Sequence, residues 1–415
     1  MIPPPPRQAS GATWLNRTVW GMAATSFLSD LGHEALSTLL PGFMAALGLP
    51  PAALGLVEGV ADAASSFMKL LTGWFSDRLG RRKGLVVAGY LLTGLSSGCI
   101  ALASGWPLIL TGKLFGWVGR GGKAPLRDAL LTDSIPAEAR GRAFGFHRAG
   151  DTLGAILGPL AAVGLMAWGA GRGLQPLPWN RTLIAWTLVP GVLSALAFAL
   201  LVAERARNPR PHPAFRHALG QMPASFRRLL AAVGCFGAGD FAHTLLILAA
   251  TQLLAGRMGL AKAATWGGLL YVLHNVVYAL SAYPVGALAD RTRRHRLLLG
   301  LGYALGAVVP LALIPCFARG GAGLPALAAI FGVAGLVSGV RDTLEGVAAA
   351  EQVPAEHRGL GFGLLGGVNG AGDLVSSLLV GALWTLHPAL GFGYAAALMA
   401  LGAGTMLIQR PVAVA

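Results

Sequence analysis

Two stretches decide the fold: Gly73 to Tyr90, GWFSDRLGRRKGLVVAGY, and Gly286 to Tyr303, GALADRTRRHRLLLGLGY. Laid over each other at an offset of 286 minus 73, or 213, they bring Gly73 onto Gly286, Asp77 onto Asp290, Arg78 onto Arg291, Arg81 onto Arg294 and Tyr90 onto Tyr303. Outward from there the repeat continues. PAEARGRAFGF from Pro136 is echoed by PAEHRGLGFGL from Pro354 at offset 218, Arg127-Asp128 by Arg341-Asp342 at 214, and Asp30 with His33 by Asp240 with His243 at 210. Four segment pairs in one order at a nearly constant offset mean two homologous halves, joined by a Pro/Arg-rich linker over residues 204–227.

The material between these motifs is apolar. With 54% hydrophobic and only 12% charged residues, the chain lies far from soluble proteins, where about a quarter of residues are charged. Crossing a ~30 Å hydrocarbon core takes roughly 20 apolar residues. Twelve such runs are legible: 19–46, 54–75, 84–104, 107–131, 141–167, 182–203, 228–254, 264–288, 297–317, 324–350, 359–386 and 388–408. The expectation is an all-α polytopic membrane protein of twelve transmembrane helices in two pseudo-symmetric six-helix bundles, residues 19–203 and 228–409. A disordered tail over 1–18 precedes them, since its four consecutive prolines cannot be helical. No small-residue cleavage site follows the first run, so it reads as a retained span. Cys99, Cys235 and Cys316 sit inside spans without paired spacing, which argues against a disulfide framework or a CxxC zinc site.

The net charge of +15 would suggest nucleic acid in a soluble chain. Its distribution instead points to topology. The termini and even-numbered loops hold Arg7, Arg17, Arg78, Arg81, Arg82, Lys83, Arg140, Arg142, the linker arginines, Arg291, Arg293, Arg294, Arg296, Arg358 and Arg410. Odd-numbered loops hold only Arg172, Arg181, Arg257, Lys262 and Arg319. The positive-inside rule then places both termini in the cytoplasm of a multi-pass protein of the inner membrane.

A parallel repeat of two six-helix halves is the layout in which substrate sits at the midplane between halves that rock around it. The loop between spans 2 and 3 carries G-x-x-x-D-R-x-G-R-R-K through Gly73, Asp77, Arg78, Gly80, Arg81, Arg82 and Lys83. It recurs degraded between spans 8 and 9, where Arg293 replaces the second glycine. In this motif and in the repeat the chain resembles the major facilitator superfamily over essentially its whole length. The resemblance implies a cytoplasmic gate in which Asp77 and Arg78 lock helices of opposite halves. Asp77 would meet the start of span 11 near Gly359, and Arg78 would meet Asp128; Asp290, Arg291, Arg294 and Asp342 form the mirrored set. A carboxylate at a helix N-terminus is worth ~0.3 to 2 kcal/mol, weak enough to break on every cycle. The plainer reading of Arg82, Lys83, His295 and Arg296 is that they hold loops in the cytoplasm.

Ionisable groups at membrane depth are costly and are candidates for function. Span 1 carries Asp30, His33 and Glu34 on one face, and span 7 Asp240 and His243. Span 2 carries Glu58, Asp62 and Lys69, span 4 Lys113, Arg120, Lys123 and Arg127, span 5 His147, Arg148 and Asp151. Span 8 adds His274 and Asn275, span 10 Arg341, Asp342 and Glu345, and span 11 Asn369 and Asp373. One reading is mutual neutralisation that ties helices together, preferred for Lys113, Arg127, Arg341 and Asp342. The other is a substrate and proton cavity, preferred for Asp30, Glu34, Glu58, Asp62 and Asp151, with Glu34, Glu58 and Asp62 as proton carriers. Burial and nearby charge shift a carboxyl's proton affinity, so a conformational change can load and release a proton.

Span 5 contains Gly150, Gly154, Gly158 and Pro159, small residues four apart that allow close helix approach. This is similar to the family's G-x-x-x-G-P element of proton-exchanging exporters, although Ala162-Val163 stand where paired glycines are usual. The plainer reading is that these glycines pack span 5 against its partner in the other half. Proton-coupled efflux of a small organic or drug-like solute is therefore expected, driven by a proton gradient without a cofactor, by a monomer that binds no nucleic acid. Two alternatives stay open. Asp30, His33, Asp240 and His243 offer carboxylate and imidazole ligands for a divalent metal to be exported, and Arg120, Lys123 and Arg148 suit proton-coupled uptake of an anionic metabolite. An enzyme is not expected: HExxH and a phosphate-binding G-x-x-x-x-G-K-[ST] loop are missing from the sequence.

Overall fold

The computed structural model describes residues 15–76, 81–135, 140–204, 222–353 and 358–408. Most of the expected tail and linker, and residues Asp77, Arg78 and Gly80 of the loop motif, lie outside them. Among the described residues there are fourteen helices and no strand. The first half comprises α1 (Arg17–Ala46), α2 (Pro51–Ser76), α3 (Lys83–Ala101), α4 (Trp106–Asp133), α5 (Arg140–Gly171), α6 (Pro176–Trp186) and α7 (Leu188–Leu201). The second comprises α8 (Ala224–Gly237), α9 (His243–Met258), α10 (Leu260–Thr292), α11 (His295–Ala318), α12 (Leu324–Ala350), α13 (Arg358–Leu386) and α14 (Pro388–Ile408). α6 with α7 makes one crossing and α8 with α9 another, so the chain crosses twelve times.

α1 starts inside the expected tail because Asn16 caps it, its side chain accepting from Val19 N at 3.0 Å. α8 likewise starts at Ala224, directly after Pro223. Both breaks have chemical causes. Pro190 has no N–H for the Trp186 carbonyl four residues back, and the helix is interrupted at Thr187. The break over 238–242 is held by α13: Ser376 Oγ donates to Asp240 O at 2.8 Å and Ala242 N donates to Ser377 Oγ at 3.1 Å. Irregular backbone at membrane depth survives where protein satisfies its polar groups.

Eight of the crossings are long and apolar enough to span a membrane by length and composition. Four fall short: the α8–α9 crossing, broken into pieces of 14 and 16 residues, and α1, α2 and α4, which carry Asp30, His33 and Glu34; Glu58, Asp62 and Lys69; and Lys113, Arg120, Lys123 and Arg127. The helices richest in charge are thus the ones that can least face lipid on all sides.

The packing distinguishes the two ends of the molecule. At the end remote from the termini, one apolar cluster joins both halves, with Leu39, Leu40 and Phe43 of α1 against Leu245 to Leu254 of α9 and Tyr271 of α10. At the Arg-rich end each half has a core of its own, around Tyr90 and Phe198 in the first and around Phe236 and Tyr303 in the second. Along one side α2 lies against α13 at backbone distance: a Cβ on Gly55 would fall 2.1 Å from Ser377 O. The row Gly150, Gly154 and Gly158 of α5 meets Ala23, Phe27 and Leu31 of α1, where added Cβ atoms would lie 2.4 to 2.6 Å from carbonyl oxygens. This corrects the expected partner of the span 5 glycines: it is α1 of the same half. Two i,i+4 rows interlock here, the ridge geometry of closely packed helices.

Candidate substrate and ion site

The mid-depth charges converge where the halves meet. In the first half Asp30 Oδ1 faces Arg120 Nη1 at 3.1 Å, and Glu58 is paired with Lys113 at 2.8 Å with both side chains almost wholly enclosed, 3% and 1% exposed. Asp62 accepts from the Trp117 indole N–H, and the Lys113 ammonium lies 4.1 Å from the same ring. The His33 and Trp117 rings are 4.4 Å apart. His147 reaches Ser26 at 3.1 Å and Asp151 at 3.7 Å. Arg127 holds Asp128, its neighbour in sequence, at 3.0 Å.

In the second half Arg341 is the hub, bonded to Asp240 and, at 3.1 Å, to Asp342. Glu345 accepts from Tyr303 OH at 2.5 Å and from Asn369 Nδ2 at 2.7 Å. The rings of His243 and His274 are 4.5 Å apart, and His243 Nε2 sits 3.3 Å from Ser338 Oγ. Asp373 has no hydrogen-bonding or ion-pair partner on its carboxylate among the described residues.

Three residues of one α10 stripe stitch the halves together. Tyr271 OH donates to Glu34 Oε2 at 2.7 Å, Asn275 Nδ2 to Ala155 O at 3.0 Å, and Arg148 Nη2 to Tyr278 OH at 3.1 Å. Tyr278 in turn donates to Asp342 at 3.0 Å. The spacing of Tyr271, Asn275 and Tyr278, four and three residues, is the signal in the sequence for a common face. Side-chain exposure rises from the joined apolar cluster toward the Arg-rich end, reaching 38% at Asp342 and 46% at Asp128.

The metal alternative loses its geometry. Asp30 and Asp240 are each bound to an arginine, and among the described residues no three His, Cys, Asp or Glu side chains gather where they would hold a metal ion.

The family model of the Major Facilitator Superfamily matches residues 22–273 and again residues 229–414, one match for each half with an overlap between them. The chain belongs to the Major Facilitator Superfamily. It is accordingly a multi-pass membrane transporter and not an enzyme. Relatives within the superfamily include an uncharacterised MFS-type transporter of Methanocaldococcus jannaschii, 27% identical over 403 residues that cover 95% of each chain. The gallate transporter of Pseudomonas putida is 26% identical, over 84% of this chain and 81% of its own. Among solved structures, a bacterial homologue of the human lysosomal transporter Spinster superposes with a TM-score of 0.68 at 17% identity, over 94% of each chain, and shows the shared fold.

Within this Major Facilitator fold the gate motif is placed in part. Gly73 lies in α2 and Asp290 in α10, with their surroundings outside the described residues, while Arg81, Arg291 and Arg294 are exposed. Arg82 is buried and its Nη1 meets Asp133 Oδ2 of α4 at 3.3 Å. Its counterpart at offset 213, His295, meets Glu351, the C-cap of α12, at 2.7 Å. Glu204, at the head of the linker, accepts from the backbone N–H groups of Arg82 and, at 3.1 Å, Lys83, and so caps α3. The sequence reading missed this cap, because Glu204 is 121 residues from the helix it serves.

Proposed function

We propose that this transporter exports a small organic solute in exchange for protons, as a monomer in the cytoplasmic membrane with both termini inside, by alternating access at the site described above. The observation that carries the reading is how the acids are held. Glu34 and Asp62 accept from neutral donors, the Tyr271 hydroxyl and the Trp117 indole. A carboxyl so held can take up a proton without stranding a buried cation. Glu58 cannot, because protonating it would leave the enclosed Lys113 ammonium unpaired. The coupling proton is therefore assigned to Glu34 and Asp62. The donor to Glu34 comes from the opposite half, so rocking of the halves changes that environment, which is what proton coupling requires.

Export as the direction is supported by the Gly154, Gly158 and Pro159 element. Uptake of a small organic acid is the second reading, favoured by Arg120 and Arg148 beside the cavity and by the likeness to the gallate transporter. Proteoliposomes containing a pH-sensitive dye, given lipophilic cations, divalent metals or organic anions under an imposed proton gradient, test all of this. Proton movement is expected with one group only, and is lost in Asp62→Asn and Glu34→Gln. Substrate that crosses with no proton movement would overturn the coupling, and response to the anions under an inward gradient would reverse the direction.

A further inference from the structure

The first half contains a second polar space, which adjoins the site between the halves at His33 and Trp117. It lies among α1, α3, α4 and the α6–α7 junction and is lined by Ser29, His33, Ser96, Ser97, Thr187 and Ser194. Its room for water is about 20 Å³, above the ~10 to 15 Å³ that one water requires. The lining is chemically one-sided. Ser96 donates to Thr93 O at 2.7 Å, Ser97 to Gly94 O at 2.7 Å, Thr187 to Ile184 O at 2.8 Å and Ser194 to Gly191 O at 2.6 Å. With their O–H groups turned to their own helices, these four residues present acceptor lone pairs to the space.

The adjoining residue needs acceptors. Lys123 is 3% exposed, its Nζ donates to Ser29 Oγ at 2.9 Å and lies 3.6 Å from the centre of the Tyr90 ring. No carboxylate stands within 4.0 Å of it among the described residues; the charges around it are Arg120 and Arg127 on its own helix, Asp30 on α1 and Asp151 on α5. An ammonium has three protons to donate, and one hydroxyl and one ring face leave it under-solvated for a buried charge.

We propose that this chamber is a resident water site, whose waters complete the solvation of Lys123 and link it through Ser29 to His33. Bound water of this kind typically makes about three hydrogen bonds to otherwise unsatisfied groups, and donors entering from Lys123 with acceptors on α3, α7 and the α6–α7 junction supply them. The N-terminal half then carries a hydrated cation of its own.

Radiolytic hydroxyl labelling of the full chain in nanodiscs, read by mass spectrometry, tests for the water directly. Leu36, Leu39 and Leu40 belong to one apolar cluster of the same helix and are 4%, 1% and 0% exposed, but of the three Leu36 alone lines the chamber. Label on Leu36 at a rate above that of Leu39 and Leu40, and lost in Ser97→Val, is expected; equal rates at the three leucines would overturn the proposal. The link to Lys123 is tested by a melting cycle. Ser97→Val is expected to lower the melting temperature of the otherwise native protein and to leave that of a Lys123→Met protein unchanged, while additive shifts would overturn the solvation role. If Ser97→Val does not fold, Ser194→Ala removes one acceptor without added volume and runs the same cycle.

Discussion

The two halves began as copies and now solve the same problem with opposite charge. Tyr90 and Tyr303 are equivalent, fully buried and packed on a phenylalanine, Phe198 and Phe236 respectively. Against the ring of Tyr90 the first half sets the Lys123 ammonium; at the hydroxyl of Tyr303 the second half sets the Glu345 carboxylate. The first half is dense in cations at mid-depth, whereas the second balances Asp240, Asp342, Glu345 and Asp373 with Arg341 alone. Their first helices differ as well: Asp30 sits inside an unbroken α1, and Asp240 sits in the gap between α8 and α9, where its backbone is held by α13. The lesson is that the repeat preserves positions and backbone paths, while the charge at each position is free to diverge as long as some neighbour, an arginine or a tyrosine, supplies the donor.

The largest effect should come from Lys113→Met. It leaves Glu58 enclosed without a cation, a loss of roughly 3 to 5 kcal/mol for a buried pair, read as a drop in melting temperature that Glu58→Gln in the same protein largely reverses. No counterpart of this pair exists at the offset positions of the second half, so a similar drop from changing those positions would break the comparison. Next, Arg341→Gln frees both Asp240 and Asp342, whereas Arg127→Gln at the equivalent place frees one acid, the half-exposed Asp128, and a 3.4 Å contact to the Ser26 hydroxyl. Transport rates in proteoliposomes should therefore fall by more than tenfold for the first and clearly less for the second, given about 1.4 kcal/mol per decade of rate; equal losses would mean that Arg127 is a hub of the same kind. Smaller again, Tyr303→Phe removes a donor to a buried carboxylate, about 1.5 to 3 kcal/mol. Tyr90→Phe keeps the ring that faces Lys123 and should cost less on the same thermal assay. The smallest effect belongs to the turns. Arg293 has φ of +53° at the place where the first half has Gly80, and Arg293→Gly should gain at most ~1 kcal/mol by relieving the left-handed conformation.

That turn shows how the sequence could be read correctly at one level and not the next. The replacement of the motif glycine by Arg293 looked like decay of the repeat; the structure shows that Arg293 itself takes the left-handed conformation that ends α10, with its N bonded to Ala289 O at 2.8 Å. The number of crossings, the duplication and the family were all legible, because hydrophobic run length and repeated motifs are one-dimensional properties. The pairings were only partly so. Asp30 with Arg120, and Asp240 with Arg341 in place of a shared metal, depend on which face each helix turns to its neighbours, and spacing along one helix says nothing about its rotation against another. The glycines of α5 were recognised as packing residues while their partner, α1, was not, since a flat ridge fits any flat ridge.

The sequence by itself determined that this chain is a duplicated twelve-span transporter of the Major Facilitator Superfamily, with acids and cations placed at mid-depth in both halves. Only the tertiary structure decided which of those charges neutralise one another, as Glu58 and Lys113 do, and which are held by neutral donors from across the interface, as Glu34 is by Tyr271. The physical reason is the range of the forces involved. Transfer of apolar length into lipid is additive along the chain and can be read from it, whereas an ion pair or hydrogen bond is made or lost within about 1 Å, a distance fixed by helix rotation and tilt after the bundle has packed.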